Sequence, residues 1–187
     1  TAELYGNAPV FPANEDSPME PVSPYGLAKY AAHKAAKMYR SQGLWCSTGI
    51  CFSHVSPRSG HEFVINKFIQ AAVKVHHGEL KVVPVGTLTT KRDFGWSPEY
   101  CAGIIRILRY PEPTDMVLAS GVAVEIGELA TFIFSLLGLD FSKIAYTDAS
   151  LVRPTEVQAL WGDANKAKRL IGWNPAFTWK QISNKLM

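Results

Sequence analysis

Tyr25 and Lys29 stand four residues apart in the run Ser23-Pro24-Tyr25-Gly26-Leu27-Ala28-Lys29. On a helix that spacing puts both side chains on one face, about one turn from each other. A free phenol titrates near ~10. An ammonium group within a few ångströms favours the phenolate, so the pair can accept a proton near neutral pH. A Tyr-x-x-x-Lys spacing by itself recurs by chance. Here it follows Thr1-Ala2-Glu3-Leu4-Tyr5-Gly6, with Glu3 lying 22 residues before Tyr25. A carboxylate can act as base and acid in turn, and a threonine hydroxyl can hand a proton along. Thr1, Glu3, Tyr25 and Lys29 are therefore the candidate catalytic residues, and their chemistry is proton transfer.

These residues need elements to hold them. Residues 1–4 read as the end of a strand. Residues 7–24, rich in Pro, Asn, Glu and Ser, read as a loop crossing the mouth of a site. The spacing of Leu27, Ala31, Ala35 and Met38 predicts a helix over 25–42 that Gly43 stops. A buried strand is expected over 44–52 and a loop over 53–60. A second helix, 62–78, would turn Phe63, Phe68, Ala71, Ala72 and Val75 inward. Short strands follow near 81–85 and 89–93, then a helix over 97–109 with Ser97 as N-cap and Pro98 at its first position. A strand over 116–120, a helix over 126–137, a strand near 143–146 and helices over 164–171 and 178–187 complete the reading. The alternation makes this an α/β chain whose strands are mostly parallel and covered by helices.

Composition narrows the class. The chain of 187 residues is long enough for one ordinary domain, and 47% of it is hydrophobic, as in globular proteins. No apolar run approaches the ~20 residues that span a bilayer, so no membrane partner is expected. A net charge of +3 is too modest to argue for nucleic acid. Cys46, Cys51 and Cys101 are odd in number and lack a Cys-x-x-Cys spacing. They read as reduced core cysteines, and with no secretory signal the expected location is cytoplasmic. No Gly-x-Gly-x-x-Gly or Gly-x-x-Gly-x-x-Gly occurs, so no loop in these residues can cradle a dinucleotide pyrophosphate on a helix N-terminus. The chain is thus expected to be the C-terminal part of a longer polypeptide, inactive alone.

Together these segments resemble extended short-chain dehydrogenase/reductases, and within them the GDP-mannose 4,6-dehydratase family. The resemblance is carried by Thr1 to Gly6, Ser23 to Lys29, His54-Val55-Ser56-Pro57-Arg58, Lys91-Arg92-Asp93-Phe94-Gly95, Arg153-Pro154-Thr155-Glu156-Val157, Gly162-Asp163-Ala164-Asn165-Lys166-Ala167-Lys168 and Gly172-Trp173-Asn174-Pro175. It implies that residues 1–60 are the C-terminal part of a Rossmann-like parallel sheet. Residues 61–187 would be mainly a smaller α/β substrate-binding domain, with the chain crossing back to the sheet near 89–120.

The resemblance also implies an NADP cofactor, with NAD the alternative and no metal. Tyr25, Lys29, His54 and Arg58 would border that cofactor. The implied substrate is GDP-mannose or a related GDP-sugar. Ser53, Val64, Lys67, Arg92, Arg153 and Glu156 would contact it: Val64 beside the guanine, Lys67 and Arg92 at diphosphate and base, Arg153 at the β-phosphate, Glu156 at the ribose. Guanidinium forks suit phosphate oxygens and a carboxylate suits paired hydroxyls. For Arg153 and Glu156 the alternative is a local surface ion pair. The implied reaction oxidises C4 of mannose, removes water across C5–C6 with Glu3 as base, and returns hydride to C6. A homo-oligomer, dimer or tetramer, is implied for the full-length protein.

Departures from the family pattern are visible. Ser53 stands where the family usually has Asn, Val55 where it has Glu, and Ser59 where it has Arg. Two other readings remain: a GDP-sugar reductase or epimerase, which would not need Glu3, and a non-catalytic GDP-sugar-binding fragment, which would not need Tyr25 and Lys29.

Overall fold

The computed structural model describes residues 1–7, 11–152 and 156–187. Where a strand end was expected, the chain closes a 3-10 turn, Ala2–Leu4. Its backbone groups are satisfied locally: the Glu3 N–H donates to the Thr1 hydroxyl at 3.3 Å and the Tyr5 N–H to the Ala2 carbonyl at 3.0 Å.

Helix α1, Pro24–Ser41, opens on a Ser23 hydroxyl that accepts from the Gly26 N–H at 3.0 Å, with proline at the first position. Its inner stripe differs from the apolar one expected. Leu27 and Met38 are 58% and 50% exposed, whereas Gly26 and His33 are buried. Backbone approach at Gly26 and a charged contact further along set the rotation of this helix, rather than apolar burial.

Strands β1, Thr48–Cys51, and β2, Ser53–Val55, follow. β1 starts later than expected because Leu44 and Trp45 are exposed. Helix α2, Val64–His76, buries Ile65, Phe68, Ile69 and Ala72. Phe63, expected inside, is exposed just before it. Then come β3, Val83–Val85, β4, Lys91–Arg92, and β5, Phe94–Trp96. Helix α3, Ser97–Arg109, takes Ser97 inside the helix, so no side chain caps it. β6, Asp115–Leu118, and β7, Val124–Glu125, lead into α4, Ile126–Ser135. The chain ends with α5, Phe141–Ile144, β8, Ala145–Thr147, β9, Ala159–Leu160, α6, Asn165–Ile171, and α7, Trp179–Leu186.

Pairing is mainly parallel, as α/β alternation requires. β1 lies parallel to β6, β2 to β5 and β3 to β8. β4 is the middle of a three-stranded sheet, antiparallel to β7 and parallel to β9.

Three apolar clusters hold these elements. One gathers α2, α4 and α7 around Ile65, Leu129, Ile133 and Ile182. A second surrounds Tyr5, Ile50, Phe52 and Val117 and takes in Val157 and Leu160. A third joins Tyr100, Ile107 and Met116 to Trp173. The chain therefore returns to the β1–β6 layer a second time, over 157–173, beyond the crossing expected near 89–120. The cysteines are free thiols, but Cys101 is exposed and Cys46 and Cys51 are half-buried, so none is a core residue. No helix among the described residues is long and apolar enough to cross a membrane.

Candidate active site

Gly26 is the residue that brings the catalytic candidates together. A Cβ there would lie 2.7 Å from the Glu3 carbonyl oxygen, so only glycine lets the first turn of α1 lie against the Glu3 backbone. Tyr25 and Lys29 project from that turn. The Lys29 ammonium lies 5.6 Å from the centre of the Tyr25 ring, and Tyr25 is 54% exposed. The hydroxyl of Thr1 holds the Glu3 N–H, which completes the group.

β2, which follows the C-terminal end of β1, carries Ser53 and His54, and parallel α/β sheets place their ligands at such strand ends. The His54 Nδ1 lies 2.8 Å from the Phe52 carbonyl oxygen. A carbonyl only accepts, so this nitrogen carries the proton and Nε2 faces away from that contact. The ring stacks on Tyr100 at 4.7 Å and 19°. Tyr100 is fully buried, and Gly95 leaves room for it: a Cβ at Gly95 would sit 2.1 Å from its ring.

The β2–β5 pairing sets Ser53 opposite Phe94 and His54 opposite Gly95, so Arg92 lies two residues along the chain from the partner of Ser53. β4 then pairs Arg92 with Leu160 of β9, and half-buried Glu156 lies just before that strand. Ser53 and His54 thus lie in the β2–β5 pair, Arg92 in the β7–β4–β9 sheet, and Glu156 three residues before β9.

Others are placed apart. Val64 is half-buried against the α2–α4 cluster. The side chains of Lys67 and Arg58 are exposed and make no hydrogen bond or ion pair among the described residues. Arg153 lies outside the described residues, so its pairing with Glu156 does not enter the geometry.

Sequence reasoning missed Asp93. Its carboxylate is 1% exposed and accepts from the N–H groups of Ser120 at 2.8 Å, Gly121 at 2.9 Å and Gly162 at 3.4 Å. Burial pushes this carboxyl up, and those donors oppose the shift. Only its place directly after Arg92 hinted at it. Among the described residues no group of three or more His, Cys, Asp or Glu side chains could hold a metal ion.

Mostly parallel strand pairs covered by helices make this a Rossmann-like α/β fold. Solved structures share this fold. The protein RMD from Pseudomonas aeruginosa, complexed with NADPH, superposes with a TM-score of 0.87 at 21% identity, over 98% of this chain and 62% of that one. A dTDP-glucose 4,6-dehydratase from Bacillus anthracis, in complex with NAD, gives 0.88 at 22% identity, over 100% and 58%.

Sequence similarity narrows the class. The family model for GDP-mannose 4,6 dehydratase matches residues 1–186, and the chain belongs to that family. It is 33% identical to GDP-mannose 4,6 dehydratase 1 of Arabidopsis thaliana over 97% of its own length and 50% of the relative. To the human GDP-mannose 4,6 dehydratase it is 32% identical, over 100% and 55%. The chain thus spans about half the length of the curated relatives it matches.

Proposed function

We propose that this chain is the catalytic and sugar-nucleotide-binding part of an enzyme that dehydrates GDP-mannose to GDP-4-keto-6-deoxymannose. The observation that carries the reading is the contact of Gly26 with the Glu3 carbonyl, which sets the Glu3 backbone against the helix turn that leads into the Tyr–Lys pair. Tyr25 is 54% exposed with the Lys29 ammonium 5.6 Å from its ring, so the phenol stands open to a sugar ring and a nicotinamide.

A bound nicotinamide supplies reversible hydride acceptance. Tyr25, Lys29, His54 and Arg58 are the residues that would hold it, and the family habit favours NADP. Tyr25 accepts the proton of the C4 hydroxyl, with the Lys29 ammonium 5.6 Å from its ring. A ketone at C4 acidifies the C5–H bond. Glu3 takes the C5 proton, and the same proton, passed back directly or through Thr1, leaves with the C6 hydroxyl as water. The hydride taken from C4 then returns to C6 and the proton taken from the C4 hydroxyl is delivered to C5, so the atoms balance with no net oxidation. Arg92, Lys67 and Arg153 match the charge of a diphosphate, and Glu156 matches a ribose diol. Val64 would supply the apolar contact to the base, and Ser53 a hydroxyl to the sugar. The substrate part would be mainly residues 61–187.

The test is product analysis with GDP-mannose and NADP in the full protein. Wild type should yield the 4-keto-6-deoxy sugar. Tyr25→Phe should lose hydride chemistry while keeping GDP affinity within about twofold. Glu3→Gln should stop after the first oxidation. A Glu3→Gln variant that turns over like wild type would remove Glu3 from the reaction.

A further inference from the structure

The loop between Glu3 and Tyr25 was expected to cross the mouth of a site. Within it, Phe11 and Ala13 are strapped to the segment that follows β9. The Phe11 and Trp161 rings stack at 4.9 Å and 25°. The Ala13 N–H donates to the Trp161 carbonyl at 2.9 Å, and the Asp163 N–H to the Ala13 carbonyl at 2.8 Å. Ala13 is fully buried beneath the strap.

Both ends of this strap reach functional residues. On one side, the Tyr5 hydroxyl donates to the Asn14 carbonyl at 2.7 Å, and Tyr5 lies two residues from Glu3 at the end of its 3-10 turn. The Tyr5 ring stacks on Phe52 at 5.9 Å. On the other side, Trp161 directly follows β9, whose Leu160 pairs with Arg92. Gly162 closes the circuit: a Cβ there would lie 2.5 Å from the Phe52 ring and 2.6 Å from the Ala119 Cβ. The 161–163 segment therefore rests on the ring that also supports Tyr5.

We propose that Trp161, through its stack with Phe11, is a positioning residue that fixes Glu3 relative to β4, which carries Arg92, and to β9, which follows Glu156. The inference rests on the dehydratase reading for what Glu3 does, and on contacts alone for the coupling. On that reading the nucleotide would meet Arg92 of β4 and Glu156 just before β9, whereas C5 and C6 of its sugar would meet Glu3. Those groups come from segments some 90 to 150 residues apart in sequence. The strap is the direct bonded and stacked route between them. A misplacement of about 1 Å at a reacting group can lower turnover by roughly a hundredfold, so a device of this kind has a large effect to exert.

The expected signature is uncoupling. In the full protein with its nicotinamide cofactor, Trp161→Leu should slow release of deoxy sugar by about 10- to 100-fold. GDP affinity should stay within about twofold. Reduced cofactor should accumulate during turnover, because oxidation at C4 no longer leads promptly to water loss. Trp161→Phe, which keeps a ring on Phe11, should recover most of the activity. Amide hydrogen exchange across residues 2–5 and 11–17 should quicken in Trp161→Leu and not in Trp161→Phe.

Wild-type turnover together with wild-type exchange in Trp161→Leu would overturn the proposal. So would a joint loss of activity and GDP affinity without reduced cofactor, which would mean that Trp161 only stabilises the fold. If wild type makes no deoxy sugar from GDP-mannose, the dehydratase reading fails. The exchange comparison still decides the strap: faster exchange at residues 2–5 supports it, and unchanged exchange rejects it.

Discussion

At the scale of single residues, two features decide whether this site works: how near a backbone can come, and which polar groups are left a partner. Gly26 shows the first. Replacing glycine by alanine inside a helix ordinarily gains up to ~1 kcal/mol. At Gly26 the added Cβ meets a backbone carbonyl at 2.7 Å, which cannot give way as a side chain could. Gly26→Ala should therefore reverse the sign and destabilise by about 1–3 kcal/mol, with product formation falling at least roughly tenfold as Glu3 and Tyr25 are pushed apart. Thermal unfolding and turnover measure the two effects. Gly49→Ala is the control, because its Cβ would meet only a side-chain atom at 3.5 Å.

At the scale of elements, α1 is fastened to β6 by charge. Asp115, 5% exposed, is hydrogen-bonded to Arg40, lies 3.7 Å from the Lys37 ammonium, and faces His33 at 4.0 Å. The neighbouring cations hold the Asp115 carboxyl below its ordinary value against the opposing effect of its own burial. Asp115→Ala would leave a partly buried guanidinium without its partner and should destabilise by about 2–4 kcal/mol, read as a lower unfolding temperature.

His33 behaves oppositely. Burial lowers its pKa, Asp115 acts against that shift, and Lys37, Lys34 and Arg40 act with it. The unfolded chain then binds a proton near pH 6.5 that the folded chain refuses. Stability should be complete above pH 6.5 and should fall as pH drops through the window just below it. His33→Gln should flatten that part of the curve of unfolding temperature against pH. An unchanged slope would place the effect on other groups.

At the scale of the whole molecule, Asp93 links layers distant in sequence. It joins the β4–β5 connection to the loop after β6 and to the segment before α6. Asp93→Ala should orphan the buried Gly162 N–H and the partly buried donors of the loop after β6, and lower stability by about 1–3 kcal/mol. Because Gly162 is one of those groups, the same variant should quicken amide exchange in the strap over residues 11–17. Unfolding and exchange measured on one sample would test both expectations.

The sequence by itself determined the α/β class and most helices. Those depend on residue type and local spacing, as in Ser23-Pro24-Tyr25-Gly26 or the 3.6-residue period of α2. Short strands such as β5 and β7 escaped it, since two or three residues carry too little period to register. The tertiary structure alone decided the inner stripe of α1, the tether at Asp93 and the strap at Trp161. Each joins residues far apart along the chain, and no local pattern in either partner specifies which distant backbone group it will meet.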